Sequence, residues 1–351
     1  MSTIPANLRR LRQAKDLTQE SLADRSGLSR AAYRKIEGGR SEPRVSTLQA
    51  IAAALDVRLT DLVAPARTLT AIRFRSLKRL RSREQILVDV GRWLADFNEL
   101  ESLVGDLAGG ASRRAGLPEL VGRPDPVEAA AKVREAFGLG PAEPIRDICG
   151  LLEAYGVKVG RMNLASHDFF GLSVAPADGG PAVVVNSWER ISVERWIFTA
   201  AHEMGHLLLH LADYDVTQTA ESEEHEKQAN AFAAAFLMPD DAFRREWDET
   251  YGLPFVDRVL KVKRLFRVSY RTVLHRLGSS LLVPGNVWVR FQTDFLCRHG
   301  RTLLRDDEPS ALERDAFRAS FPETLVAHEP EHLSRVDFPG DRLWLLVRKA
   351  V

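Results

Sequence analysis

The sequence predicts a mostly helical α+β protein with one small sheet, and three observations point there. Apolar residues recur at helical spacing through the first hundred residues (Leu8, Leu11; Leu22, Ala23; Tyr33, Ile36; Leu48, Ile51, Ala52, Leu55). Three short runs of strand character, GVKVGRM, residues 170–175 and the AVVVN within residues 181–186, then break the helical period before a long amphipathic helix opens near Ser192. The third observation is size: 351 residues, 45% hydrophobic and 28% charged, suit two or three domains with cores of their own. No apolar run approaches the ~18 residues of a membrane span, so no membrane partner is expected. The opening MSTIPANLRRLRQ lacks the apolar stretch of an export signal, and two cysteines cannot build a disulfide framework. A cytoplasmic setting is expected, with Cys149 and Cys297 as small buried apolar side chains.

Charge is unevenly spread. Up to Arg83 the chain carries eighteen Lys and Arg against seven acids, a surplus of +11, and the remainder carries −10. A basic head on an acidic body points to nucleic acid at one end and different chemistry at the other.

Residues 1–65 read as five short helices: LRRLRQAKD, TQESLADRSG, SRAAYRKIEGG, STLQAIAAALD and TDLV. Gly27 falls where the second and third must turn tightly, Ser29 is an expected N-cap, and Ser46 with Gln49 has the S-x-x-Q spacing of a capping box. The third helix buries Tyr33 and Ile36 and leaves Arg30, Arg34 and Lys35 on its other face, a basic face suited to guanine edges in a major groove. Over about fifty-five residues this stretch resembles the Xre or phage-repressor family of helix-turn-helix domains, through LRRLR, LTQESLA, GLS and STLQAIAAALDV. The resemblance implies double-stranded operator DNA as partner. It places Gln19 on a phosphate, Arg30, Ala31 and Lys35 against bases with Arg34 beside them, and Arg40, Ser41 and Arg44 on phosphates; Arg12 and Glu37 would pair internally. Palindromic operators of that class imply a homodimer.

Residues 66–125 read as a helical connector, with Ile72, Leu77, Leu80, Ile86, Leu87, Val90, Trp93, Leu94, Phe97 and Leu100 in period. Its basic run, Arg73 to Arg83, either extends the DNA footprint or is a solvated helix face. Gly109, Gly110, Gly116, Pro118, Gly122, Pro124 and Pro126 punctuate the chain and mark the main boundary.

Residues 126–284 carry the chemistry. Helices are expected over 127–137 and 144–155, then the three strands, then the helix ISVERWIFTAAHEMGHLLLHLA. In it His202, Glu203 and His206 spell H-E-x-x-H. Histidines one turn apart reach one zinc ion together, and the intervening glutamate is set to deprotonate water beside it. Zinc needs a third protein ligand. The candidates are His210, Glu221, Glu223, Glu224, His225 and Glu226, of which only Glu226 opens a strongly apolar helix, EKQANAFAAAFLMP. Asn230, one turn on, can hold a ligand histidine by its far nitrogen. His210 is expected to support a ligand or lie at the surface, His225 to be solvated, and Glu221 to Glu224 to form an acidic loop. HEMGHLLLH followed by EKQANAFAAAFLMP resembles the ImmA/IrrE metallopeptidases, which have a zincin-like α+β fold. That resemblance extends upstream into PIRDICGLLEAYGVKV and downstream into VLKVKRLFRVSYRTVLHRL. It implies zinc on His202, His206 and Glu226, Glu203 as general base, and cleavage of a DNA-binding repressor under stress, in a partner or in the chain itself. The group that would stabilise the oxyanion is not evident from sequence; Tyr214 and His167 are candidates.

Residues 285–351 read as a small regulatory or dimerising unit: VWVRF as a strand, DEPSALERDAFRASF as a surface helix, DRLWLLVRKAV as a closing amphipathic helix. SYRTVLHRL looks locally like a second recognition helix, but a packing helix of the peptidase domain is the preferred assignment. The expectation is a transcription regulator with a fused zinc endopeptidase. The alternative is a repressor or antitoxin whose metal domain senses or scaffolds without cutting.

Overall fold

The computed structural model describes residues 3–15, 17–63, 69–76, 83–107, 116–120, 122, 124–214, 222–280, 282–304 and 306–317. The chain forms two compact units: Met1–Leu69 with Arg81–Phe97, and Thr70–Leu80 with Asn98–Val351.

In the first unit α1 (Thr3–Ala14), α2 (Gln19–Arg25), α3 (Arg30–Glu37), α4 (Val45–Leu55) and α5 (Leu59–Val63) surround one core. Every apolar residue named above for this head is buried in it, joined by Leu62. Thr18 and Ser29 cap α2 and α3 by accepting from Ser21 N–H and Ala32 N–H, bonds that contribute about 1 kcal/mol each. Gly27 takes the left-handed φ of 67° that the tight turn between them requires. The buried amide of Asn7 donates to the Leu62 carbonyl and ties α1 to α5. The expected capping box does not form: α4 starts two residues earlier than a Ser46 cap would set, at Val45, with Arg44 at the N-cap and no side-chain cap.

The stretch expected to be a helical connector contains a strand, β1 (Ile72–Ser76), before the helix α6 (Arg83–Leu107). The physical reason is tertiary. Ile72 and Phe74 alternate with Arg73 and Arg75, a strand pattern too short to outweigh the helical period of the apolar residues around it, and a neighbouring strand with an open edge decides for β. The expectations for Leu77, Leu80 and the basic residues between them lie outside the described residues.

The second unit continues with α7 (Pro126–Ala136), α8 (Ile148–Ala154), β2 (Lys158–Met162), β3 (Phe169–Val174), β4 (Ala182–Asn186), α9 (Val193–Leu209), α10 (Glu223–Leu237), α11 (Asp240–Asp248), α12 (Phe255–Phe266), α13 (Tyr270–Ser280) and α14 (Val287–His299). The sheet runs β1-β3-β4-β2, with β2 parallel to β4, and with β3 antiparallel to both β4 and β1. Helix α9 packs on β3 and β4, and α10 lies between α9 and α7. Two glycines allow the close approaches. A Cβ at Gly205 would meet the Phe232 ring at 2.9 Å, and one at Gly171 would meet Thr199 Cγ2 at 2.6 Å, so α10 and the sheet can both draw tight against α9. Pro144 to Arg146 lie outside α8, which starts where Asp147 caps Gly150 N–H.

Three expectations for the tail are corrected. VWVRF is the start of α14 rather than a strand, because Asn286 caps Trp288 N–H and Val289 N–H and the spacing of Val287, Phe291 and Phe295 is helical. DEPSALERDAF forms turns with one short 3-10 segment, Arg314–Ala316, rather than a helix. Nor are residues 285–317 a separate unit, since Val287, Phe291, Phe295 and Phe317 belong to the same core as α9 and α10. A buried ion cluster seals this arrangement: Lys263 Nζ donates to Glu194 and to the Ser310 carbonyl at 3.0 Å, with Glu308 at 3.2 Å. DRLWLLVRKAV lies outside the described residues. The SYRTVLHRL segment is a packing helix, with Tyr270, Val273, Leu274 and Leu277 buried. Cys149 is buried, whereas Cys297 is exposed on α14, against expectation. No helix among the described residues is long and apolar enough to cross a membrane.

Candidate metal centre and nucleic-acid face

The H-E-x-x-H residues lie in the middle of α9, which Ser192 caps by accepting from Arg195 N–H. His202, Glu203 and His206 are at most 1% exposed. Glu226 comes from the first turn of α10, which begins at Glu223 with Ser222 as its cap; Glu223 and Glu224 are therefore helical rather than loop, and Glu221 lies outside the described residues. His202 Nε2 lies 2.9 Å from His206 Nε2 and 3.4 Å from Glu226 Oε2, and His206 Nε2 lies 3.0 Å from Glu226 Oε1. One ligand atom from each residue lies within 4.8 Å of the others. Ligands about 2.05 Å from a tetrahedral zinc stand about 3.3 Å apart, so the three separations bracket the expected value.

The outer nitrogens decide the tautomers. His202 Nδ1 is 3.0 Å from Asn230 Oδ1, which can only accept, so the proton sits on Nδ1 and Nε2 presents a lone pair. His206 Nδ1 is 2.9 Å from His210 Nδ1, and His210 Nε2 is 2.8 Å from Gln228 Oε1. One assignment satisfies this chain: His210 donates from Nε2 to Gln228, accepts at Nδ1 from His206, and leaves His206 Nε2 unprotonated. Burial pushes His206 well below the usual histidine range and lowers His210, so both stay neutral. Two lone pairs and a carboxylate converging on one point repel unless a cation lies among them, and N, N, O is a zinc-type donor set.

Glu203 is held from the sheet. Ser173 Oγ on β3 donates to Glu203 Oε2 at 2.7 Å, and the Tyr214 hydroxyl donates to Ser173 Oγ at 2.7 Å. Burial raises the Tyr214 phenol well above its ordinary range, which keeps it a donor. Tyr214 thus backs the Glu203 contact. His167, the other oxyanion candidate, stands apart, half exposed, 3.8 Å from Asp306 and edge-on to Trp188.

Two groups depart from the sequence reading. His225 is half buried, stacked on His210 at 4.2 Å with its Nδ1 3.2 Å from Arg73 Nη1. Arg73, read as part of a DNA-facing or solvated run, is 8% exposed, and its Nη2 lies 3.8 Å from Glu226 Oε1. Nothing in the sequence links Arg73 or Ser173 to the motif, because sheet register alone brings them there. His210 had a visible signal, its i+4 spacing from His206.

The head presents its candidates outward. Arg30, Ala31, Arg34 and Lys35 on α3, and Arg40, Ser41 and Arg44 in the turn that follows, are all exposed. Arg30 approaches Glu20 at 3.5 Å across the surface. Gln19 differs from expectation in that its amide donates to Glu37 Oε1 at 2.9 Å. Arg12 grips the same carboxylate through Nε and Nη2 at 2.8 and 2.9 Å. Burial alone would raise the Glu37 carboxyl, but the hydrogen bonds from Arg12 and Gln19 outweigh it and hold it below the ordinary range.

Comparison with known proteins finds two family models in this chain. The one described as helix-turn-helix matches residues 8–62, and the peptidase model described as IrrE N-terminal-like domain matches residues 152–278. The uncharacterized HTH-type transcriptional regulator y4dJ of Sinorhizobium fredii is 44% identical over 62 residues, 18% of this chain and 80% of that protein. The uncharacterized HTH-type regulator YqaE of Bacillus subtilis is 44% identical over 57 residues, 16% of this chain and 49% of its own. The immunity repressor protein of Bacillus phage phi105 is 36% identical over 61 residues, 17% of this chain and 42% of that one. The match thus spans most of the first relative and less than half of the other two.

Proposed function

We propose, on the premise that the chain belongs to the helix-turn-helix transcriptional regulators and carries an IrrE N-terminal-like domain, that it binds operator DNA through α3 and is a zinc-dependent endopeptidase. Its substrate is a protein, either a partner repressor or the chain itself, cut in response to a stress or DNA signal. The observation that carries the reading is the convergence of His202 Nε2, His206 Nε2 and a Glu226 oxygen, with Glu203 between the two histidines. These three residues would hold zinc, which when bound polarises a peptide carbonyl and acidifies water. Glu203, oriented by Ser173, takes the proton of the attacking water and delivers it to the leaving amine. Asn230 and the His210–Gln228 pair fix the ligand imidazoles in the tautomer that binds metal.

On DNA, Arg30, Ala31, Arg34 and Lys35 face the major groove, while Arg40, Ser41 and Arg44 meet phosphates; Gln19, engaged by Glu37, offers only its remaining amide atoms to the backbone. Two copies bind a palindromic site, and a one-chain mass by light scattering on operator DNA would contradict this.

Metal analysis of the purified chain tests the centre. About one zinc per chain is expected, lost in His206→Ala and Glu226→Ala. Glu203→Gln should keep zinc and DNA binding while cleavage falls at least about a hundredfold. Zinc indifferent to the ligand changes, or cleavage surviving Glu203→Gln, overturns the reading. One observation favours the alternative of a regulator whose metal domain does not cut: Arg73, from outside the peptidase match, lies against Glu226.

A further inference from the structure

Among the described residues β1 is an edge strand bonded to a single neighbour, β3, and it enters from outside the segment that matches the peptidase family. Its register places Arg73 opposite Ser173, the residue whose hydroxyl holds Glu203. Directly opposed residues of an antiparallel pair project to the same face, so the Arg73 side chain follows Ser173 toward α9. There it is 8% exposed and its guanidinium reaches His225 and Glu226. The head of the strand is clipped by one carboxylate. Asp178 accepts from Thr70 N–H, from Ala71 N–H at 2.6 Å and from the Thr70 hydroxyl at 3.2 Å, while Ala175 N–H donates to the Ala71 carbonyl.

A peptide to be cut with the help of Glu203 must lie beside the residue that holds Glu203, and an extended peptide binds most simply by adding a strand to a sheet edge. With β1 removed, β3 is that edge. We propose that the edge of β3 is the binding site for an extended segment of the protein substrate, and that the chain's own β1 occupies it, with Arg73 laid against the metal ligands, until a substrate strand displaces it. This rests on the peptidase reading for what happens to the bound segment, but not for the exchange of strands. The clip and the ladder are short enough to open without unfolding the unit, because β1 is five residues long and bonded on one side.

The test uses the full chain with Glu203→Gln, so that nothing bound is consumed, and a fluorescein-labelled peptide of residues 70–76, TAIRFRS. Asp178→Ala removes the clip and touches none of the metal ligands. It should tighten peptide binding about tenfold or more by fluorescence anisotropy. A second variant locks the strand: Ile72→Cys with Val174→Cys, in a Cys297→Ser background. Ala175 N–H bonds the Ala71 carbonyl directly across the ladder, so the next pair, Ile72 and Val174, is a non-hydrogen-bonded one with Cα atoms about 4.5 Å apart, within disulfide reach. Oxidation should abolish peptide binding and reduction restore it. Equal affinity in the parent chain, the clip variant and the oxidised lock overturns the proposal, as does binding that survives the lock; the lock decides alone if Asp178→Ala does not fold. In chains with Glu203 intact, cleavage between residues 70 and 76 would make β1 a substrate and also overturn it. Strand exchange without cleavage of the bound peptide, or without zinc, would leave the proposal standing and sink the peptidase reading instead.

Discussion

The two units keep their working residues in opposite places. In the head, the side chains assigned to DNA, apart from Gln19 on α2, stand on the exposed face of α3 and the turn after it, outside a core made of aliphatic residues and Tyr33. In the second unit the residues assigned to chemistry are the core: His202, Glu203 and His206 are buried in the middle of α9, with their partners on α10 and β3. The difference follows from what each partner is. DNA meets the protein from solvent and needs charges that pay no desolvation before it arrives, whereas a metal site needs donors whose tautomers and positions are fixed by packing. Specificity in the head can therefore change without refolding it, and the metal centre cannot be altered without consequence for the fold around it.

The largest effect that would sharpen this contrast is Lys263→Met. It leaves Glu194 and Glu308 buried without their cation, and should cost the second unit about 3–5 kcal/mol in urea unfolding. A head transition that moved with it would break the comparison. Next is His210→Ala, which removes the acceptor of His206 Nδ1 and should weaken zinc about 10–100-fold in chelator competition, with operator affinity unchanged. Arg30→Ala should cost about 1–3 kcal/mol of operator binding while stability shifts by less than about 0.5 kcal/mol. A larger loss of stability would mean that the recognition face is part of the head's core.

The smallest effect is one of pH, and its sign differs between the units. Burial raises the Glu308 carboxyl to about 7 in the folded chain. The unfolded chain releases this proton first as pH rises, so Glu308 favours the fold fully below the ordinary glutamate range and loses that contribution as pH climbs through about 7. Glu37 is lowered, so its contribution is present above the ordinary range and is lost as pH falls through its folded value. Mild acid should weaken the head and relieve the second unit. Melting curves from pH 4 to 8 on Glu308→Gln should flatten the alkaline loss of the second unit only.

Much of the site could be read from local spacing. H-E-x-x-H puts two imidazoles on one helical face wherever the helix lies, and Glu226 with Asn230 repeats that geometry on the next helix, so four residues of the centre needed only a helical period. The head was legible for the same reason, since its buried positions follow the helical period of each short helix. Ser173, Arg73 and the His225 stack were not legible, because each reaches the centre through strand register or helix docking. IRFRS alternates like a strand over only five residues inside a longer helical period, and VWVRF, read as a strand, is a helix capped by Asn286.

What the sequence determined by itself were the helices of the head and of the metal centre and the chemical identity of their functional faces, because side chains at i, i+3 and i+4 are neighbours on any helix. The tertiary structure alone decided that a segment between the two matched domains becomes the edge of the peptidase sheet, and that Val287, Phe291, Phe295 and Phe317 complete its core. Both are contacts between residues far apart in the chain. Such contacts are chosen by which edges and apolar faces remain uncovered once the local elements have formed, and no local period encodes that.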